Sequence, residues 1–328
     1  MTTPAKLRGF GVLVAAFMVA ACAGSSPSIS ASSPEPASPA AASTTAAQTA
    51  TQADEVASKS VRLVTLAKNA TATLWALDGS KWHSISDLPD ATGIAAAADG
   101  LAVMRAGDVH FLPASDLTTE TRLSKLSWPG GTAPDVAAFA IADDGRVALV
   151  IADASGTSYA VAGSDGMVSA PEPAATQPFS PLVAWLDANR QLILVTDPQQ
   201  VSRLGVRTGS TAETLTGIAG CRWFAVSGDG KTIAVVTDTG LYADTAMVVL
   251  GKSQSPARID QIASTDVAWS LALSRDGQHL AVLEGRVGDD GTPTNVREVV
   301  YSHSGSAWKK DLEVAVPFAG VLGQAWVG

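Results

Sequence analysis

Four histidines, His83, His110, His279 and His303, are the side chains best placed to hold a metal or move a proton near neutral pH. Their spacing favours neither role. None stands in an HxH, HxxxH or HExxH arrangement, so no strand or helix turn would present two imidazoles to one ion. A GxSxG nucleophile elbow is absent. The segment Gly288-Asp289-Asp290-Gly291-Thr292-Pro293-Thr294-Asn295 carries carboxylates in a tight run but lacks the ligand order of an EF-hand, and it reads as a solvated hairpin loop. Metal-assisted chemistry would need loop acids such as Asp108, Asp187, Asp197 or Asp266 to converge through folding. Cys221 opens an apolar run and reads as a buried hydrophobe. The expectation is a protein that is not an enzyme, with no catalytic, cofactor or metal residue.

The elements that would have to position any such group repeat along the chain. Setting the turn residues Gly100, Gly145, Asn189, Gly230 and Gly277 in register puts Ala95, Ala140, Ala184, Ala225 and Ala272 five positions earlier. Bulky residues precede the alanine: Ile94, Phe139, Val183, Phe224 and Leu271. Four repeats have Asp directly before the glycine, at Asp99, Asp144, Asp229 and Asp276. Asp-Gly is a hairpin signal, because glycine takes positive φ at no steric cost and aspartate bonds the turn backbone. The segment after each turn is aliphatic, as in Ile233-Ala234-Val235-Val236 and Leu280-Ala281-Val282-Leu283, which suits a strand buried on both faces. Intervals of 45, 44, 41 and 47 residues point to an all-β fold, a β-propeller with one four-stranded sheet per repeat.

From Ser58 to Gly328 there is room for about six such blades. Phe318-Ala319 repeats the Phe139-Ala140 and Phe224-Ala225 pairs and is expected to begin a sixth inner strand. Val61 to Ala67 resembles the second strand at Val147 to Ala152, and Leu77 to Trp82 resembles the outer turn at His303 to Trp308. The two ends of the chain are therefore expected to share one blade and close the ring, which removes a free sheet edge. The eight tryptophans are spread along the chain, as packing between blades would require.

The first 57 residues follow different rules. Lys6 and Arg8 precede an uncharged run from Gly9 to Ala21, too short to span a bilayer but the length of a signal-peptide core. It ends in Val19-Ala20-Ala21-Cys22, which resembles the bacterial lipobox, so residues 1–21 are expected to be a lipoprotein signal peptide and Cys22 the site of lipid attachment. Each buried CH₂ of an acyl chain contributes about 0.8 kcal/mol, enough for two or more chains to hold the protein on a membrane. Residues 22–57 pair that cysteine with a tract of Ala, Ser, Thr, Pro and Gln that cannot offset its ordering entropy, hence a disordered tether. Thr44, Thr45, Thr49 and Thr51 are open to glycosylation or to none. Loss of Lys6 and Arg8 with the leader removes two positive charges from a chain of net −9, leaving −11. Nucleic acid is an unsuitable partner for such a body. With Cys22 lipidated only Cys221 remains, so no disulfide is expected within the chain.

Ser227-Gly228-Asp229-Gly230-Lys231-Thr232-Ile233-Ala234-Val235 and Ser274-Arg275-Asp276-Gly277-Gln278-His279-Leu280-Ala281-Val282 resemble the SxDGxxxA repeat of TolB-like propellers. Joined to a lipobox and an alanine-rich tether, the chain is similar to TolB-like and LpqB-like β-propeller lipoproteins of actinobacteria, over residues 58–328. The resemblance implies the fold; TolB and LpqB carry a further domain ahead of the propeller for which residues 22–57 leave no space, so their partners, an envelope lipoprotein and a sensor kinase, do not transfer. The expectation is a lipid-anchored scaffold on the outer face of the cytoplasmic membrane that binds an envelope or membrane protein. The alternatives are a propeller enzyme with a metal in its channel, or a protein that takes a small ligand or glycan there.

Overall fold

The computed structural model describes residues 62–68, 71–154, 156–174, 181–197, 199–237, 240–245, 257–260, 266–288, 293–304 and 307–328. The leader, Cys22, the tether, and Asp289 and Asp290 lie outside the described residues.

All regular elements among the described residues are strands. The first three, β1 (Arg62–Lys68), β2 (Ala72–Asp78) and β3 (Lys81–Asp87), pair as a meander. Four complete blades of consecutive antiparallel strands come next, and a fifth ends the series. Blade 2 is β4 (Ala91–Ala97), β5 (Gly100–Arg105), β6 (Asp108–Pro113) and β7 (Arg122–Ser124). Blade 3 is β8 (Val136–Ile141), β9 (Val147–Asp153), β10 (Gly156–Ala162) and β11 (Glu172–Pro173). Blade 4 is β12 (Val183–Trp185), β13 (Arg190–Thr196), β14 (Ser202–Thr208) and β15 (Thr211–Ala219). Blade 5 is β16 (Cys221–Val226), β17 (Thr232–Thr237), β18 (Leu241–Thr245) and β19 (Ala257–Asp260). Blade 6 is β20 (Asp266–Leu273), β21 (His279–Val287), β22 (Pro293–Ser304) and β23 (Ala307–Ala315). The last strand, β24 (Val321–Val327), pairs with β1 and completes blade 1 in the order β24-β1-β2-β3. The inner strands β24, β4, β8, β12, β16 and β20 neighbour one another in that order and return to β24, so six blades close a ring.

Three of the four Asp-Gly signals fold as their chemistry demands. Gly145, Gly230 and Gly277 take φ of 86°, 69° and 70° and donate to Ala142, Ser227 and Ser274 three residues earlier. At Gly230 no other residue fits, because a Cβ would lie 1.8 Å from the Leu186 carbonyl of the neighbouring blade. Asp229 accepts from its own turn at Lys231 N (3.0 Å) and from Ser227 Oγ (2.8 Å). The first repeat departs from this form: Ala97 pairs directly with Gly100, leaving only Ala98 and Asp99 in the turn.

The core is not central but lies in six wedges between blades. The second strands β5, β9, β13 and β17 are buried along almost their whole length, as aliphatic runs sandwiched between two sheets must be. The wedge between blades 1 and 2 gathers Val64, Leu66, Leu74, Leu101 and Val103; that between blades 3 and 4 gathers Ala148, Val150, Ile193 and Val195. The outer strands β3 and β23 are largely exposed.

The expected ring closure is present, but its alignment needs correction. Trp185 Nε1 donates to Ala140 O of the preceding blade (3.3 Å), and Trp326 Nε1 donates to Ala272 O in the same way (3.1 Å). Trp185 follows Ala184, so the sixth repeat alanine is Ala325, which precedes Trp326. Phe318-Ala319 precede β24 and belong to the connection from β23. The 12-residue β22 and 9-residue β23 lengthen blade 6 and displace the repeat. Phe318 instead packs against Trp75 and Trp82, with ring centroids 5.5 and 5.0 Å apart, and latches the connection onto blade 1.

Candidate functional site

The inner strands surround a cavity of about 630 Å³ on the ring axis. Each of them is the terminal strand of its sheet, with one backbone edge unpaired by a neighbouring strand. Small residues at Gly93, Ala140, Ala184, Ala225 and Gly323 keep the space open. Indoles tie the inner strands together: beside the two bonds already described, Trp223 Nε1 donates to Ala268 O across blades 5 and 6 (2.9 Å). Trp185, Trp223 and Trp326 thus hold neighbouring blades by hydrogen bonds as well as by packing.

The hairpins between first and second strands crowd one mouth of this cavity, and those of blades 2 to 5 carry an acid paired with a base. Asp99 pairs with Arg122 (3.1 Å), Asp144 with Arg146 (2.8 Å), Asp187 with Arg190 (2.7 Å) and Asp229 with Lys231 (3.1 Å). The Lys231 backbone N–H, and then the Ser227 hydroxyl, hold the Asp229 carboxyl below the usual carboxylate range. At Asp144 and Asp187 partial burial pushes upward, but backbone and arginine hydrogen bonds outweigh it and both are lowered. Asp144, Asp187 and Asp229 each accept from a backbone N–H of their own turn, and their task is to set those turns.

One pair differs from the rest. Arg275 of the β20–β21 turn reaches Asp143 of the β8–β9 turn, 132 residues away. Blades 3 and 6 stand opposite each other in a ring of six, so this pair spans the mouth. Arg275 passes over Gly228, where a Cβ would come within 3.0 Å of Cζ, and its carbonyl accepts from Gly228 N (2.8 Å). Arg146 borders the same mouth, donates to Ala188 O (2.7 Å) and lies 4.9 Å over the Trp185 ring.

A second polar cluster is buried at the closing seam. Gln324 Nε2 on β24 donates to Thr65 Oγ1 on β1 (3.3 Å) and to Glu298 Oε2 on β22 (2.5 Å). Burial pushes the Glu298 carboxyl up to about 8; the Gln324 amide lowers it and the Glu284 charge raises it further. The Oε1 atoms of Glu298 and Gln324 have no hydrogen-bond partner among the described residues. On the other face of β22, Arg297 bridges Asp266 (2.6 Å), Glu284 (2.8 Å) and Glu313 (3.2 Å).

The residues singled out in the sequence occupy separate places. His110 bonds Glu120 (2.6 Å) in blade 2; His279 lies 5.5 Å from the Trp326 ring; His303 lies 5.0 Å from Trp308 in blade 6; His83 sits on β3. Asp108 accepts from Leu126 N (2.9 Å), Asp197 from Arg203 Nε (2.6 Å), and Asp187 and Asp266 hold Arg190 and Arg297. Among the described residues no three His, Cys, Asp or Glu gather as metal ligands. Cys221 is fully buried, its thiol facing Ile218 O at 3.6 Å. The Arg275–Asp143 pair and the Thr65–Gln324–Glu298 cluster were not foreseen, since both join residues more than 130 positions apart in the chain. The only signal was that the position before the turn aspartate, small at Ala98 and Gly228, is an acid at Asp143 and a base at Arg275.

No family model and no curated protein matches this sequence. Solved structures match it in fold. TolB from Acinetobacter baumannii is 13% identical, with a TM-score of 0.57 over 82% of this chain and 67% of that one. A protein described as TolB from Agrobacterium tumefaciens is 15% identical, with a TM-score of 0.55 over 82% and 98% of the two chains. A chain of a nidogen/laminin complex is 9% identical, with a TM-score of 0.52 over 82% and 98%. At these identities the likeness defines a TolB-like β-propeller fold.

Proposed function

We propose that this chain is a lipoprotein held through Cys22 on the outer face of the cytoplasmic membrane, whose propeller is a non-enzymatic scaffold for an envelope or membrane protein. The observation that carries the reading is the set of hairpins around one mouth, those of blades 3 to 6 each holding a backbone N–H on its own aspartate and those of blades 2 to 5 charge-paired, which is a rigid and polar surface built for recognition rather than for reaction. A preorganised surface loses little entropy on association. The nidogen/laminin chain, described as part of a complex, is compatible with this use of the fold. The lipobox supports the anchor and the composition of residues 22–57 supports a spacer between membrane and propeller. The test is phase partition of wild type and Cys22→Ala, followed by crosslinking in living cells. Wild type enters the detergent phase and captures a membrane protein; a mutant that partitions unchanged refutes the anchor, and wild type that captures no protein refutes the scaffold.

A further inference from the structure

We propose that the axial cavity is a chamber for a small carboxylic acid with an apolar tail, and that Asp143 occupies the place of the ligand's carboxylate on Arg275 until it enters. Ile94, Phe139, Val183, Phe224, Leu271 and Leu322 contribute apolar lining, and about 630 Å³ lies within the range of small-molecule sites. The unpaired edges of the inner strands add backbone N–H and C=O groups to these walls, which accept an alkyl body beside the apolar side chains and offer no charge to balance a charged one.

The charges lie at the mouth, where the two members of the spanning pair are not equivalent. The Arg275 side chain is 27% exposed and Asp143 62%. Replacing Asp143 by another carboxylate keeps the more enclosed guanidinium paired; replacing Arg275 by a cation would leave it without a partner. Asp143 is also the acid best able to leave. Asp144, Asp187 and Asp229 each hold a backbone N–H of their own turn, whereas the bond of Asp143 in this mouth is to Arg275. Gly228 fixes the path of Arg275 across the mouth, so the guanidinium fork stays aimed at the opening when the acid departs.

Binding is read by titration calorimetry of sodium octanoate, below its micellar range, into the full chain, with octan-1-ol and octylamine as comparators. Octanoate binds wild type more tightly than either comparator. Asp143→Asn removes the internal competitor and tightens octanoate binding by about fivefold, the ceiling for a partly exposed ion pair. Arg275→Gln weakens it by about tenfold or more, as loss of a hydrogen bond to a charged group does. If Arg275→Gln does not fold, the ranking of the three ligands on wild type decides. The proposal is overturned if octanoate binds neither wild type nor Asp143→Asn, if octanol or octylamine equals octanoate, or if folded Arg275→Gln binds octanoate as wild type does. Octanoate binding does not depend on the anchor or on a protein partner, so its outcome leaves the scaffold reading untouched.

Discussion

Gln324 on the last strand donates to Thr65 on the first described strand, 259 residues earlier, inside a seam that also buries Glu298. Register places the two residues directly opposite each other in the β24–β1 pair. The ring is therefore closed by a hydrogen-bonded contact between the ends of the fold. Glu298 extends it from blade 6 into blade 1.

Deleting residues 58–88 removes β1, β2 and β3 together, leaving β24 without its sheet and Phe318 without Trp75 and Trp82. The truncated chain is expected to lose its cooperative thermal transition and to aggregate, since two buried faces and a sheet edge become free. Circular dichroism and light scattering check this; a truncated chain melting at the wild-type temperature would show that the closure adds nothing.

Glu298→Gln is expected to make stability less dependent on pH. Glu298 keeps its proton in the folded chain up to about 8, while in the unfolded chain it ionises near the ordinary glutamate value. The native state binds more protons between those limits, so this group's contribution to stability is fully present below the unfolded value and is lost as pH rises through about 8. Glutamine resembles the protonated acid and has no proton to lose. The gain in Tm on substitution is expected to be larger at pH 8 than at pH 5; an equal or smaller gain at pH 8 would count against a protonated Glu298.

Ala272→Leu inserts three carbons into a seam where Leu63, Ala281, Val300 and Trp326 already pack, at 4% exposure. A cost of about 1 to 3 kcal/mol is expected. The same change at Ala225, which is half-buried and borders the cavity, is expected to cost less. Denaturant unfolding of both variants separates them, and equal costs would refute the difference in packing.

Trp185→Phe keeps most of the ring but removes the N–H that Ala140 O accepts from. A loss of about 1 kcal/mol is expected, the usual worth of one such bond, and urea midpoints measure it. No change would mean that water replaces the indole.

The repeat was legible because Asp-Gly chemistry is local: a turn that needs positive φ and a side-chain acceptor selects the same residues each time, and Asp144, Asp229 and Asp276 all behave alike. The aliphatic second strands were legible for a similar reason, since burial on both faces excludes polar residues. The sixth inner strand was misplaced by six residues because Phe318-Ala319 copies the template pair without an Asp-Gly turn after it to set the register. Ala325-Trp326 matches Ala184-Trp185 in sequence, and the bond from the Trp326 indole to Ala272 O fixes Ala325 as the repeat alanine. The charged pair at the mouth and the acid in the seam depend on which blades face each other, and a linear pattern carries no record of that. Cys22 was read from a local motif that the described residues do not reach.

The central claim is a tethered scaffold that uses its hairpin mouth, and photo-crosslinking in living cells tests it most directly. A photoreactive residue replaces Lys231, beside the mouth and 80% exposed in its side chain, or Ala106, exposed in the turn at the opposite end of blade 2. The expected result is one membrane or envelope protein captured from position 231, absent from position 106, and lost when Cys22→Ala releases the chain from the membrane. Capture from position 106 alone, or from neither, would contradict it.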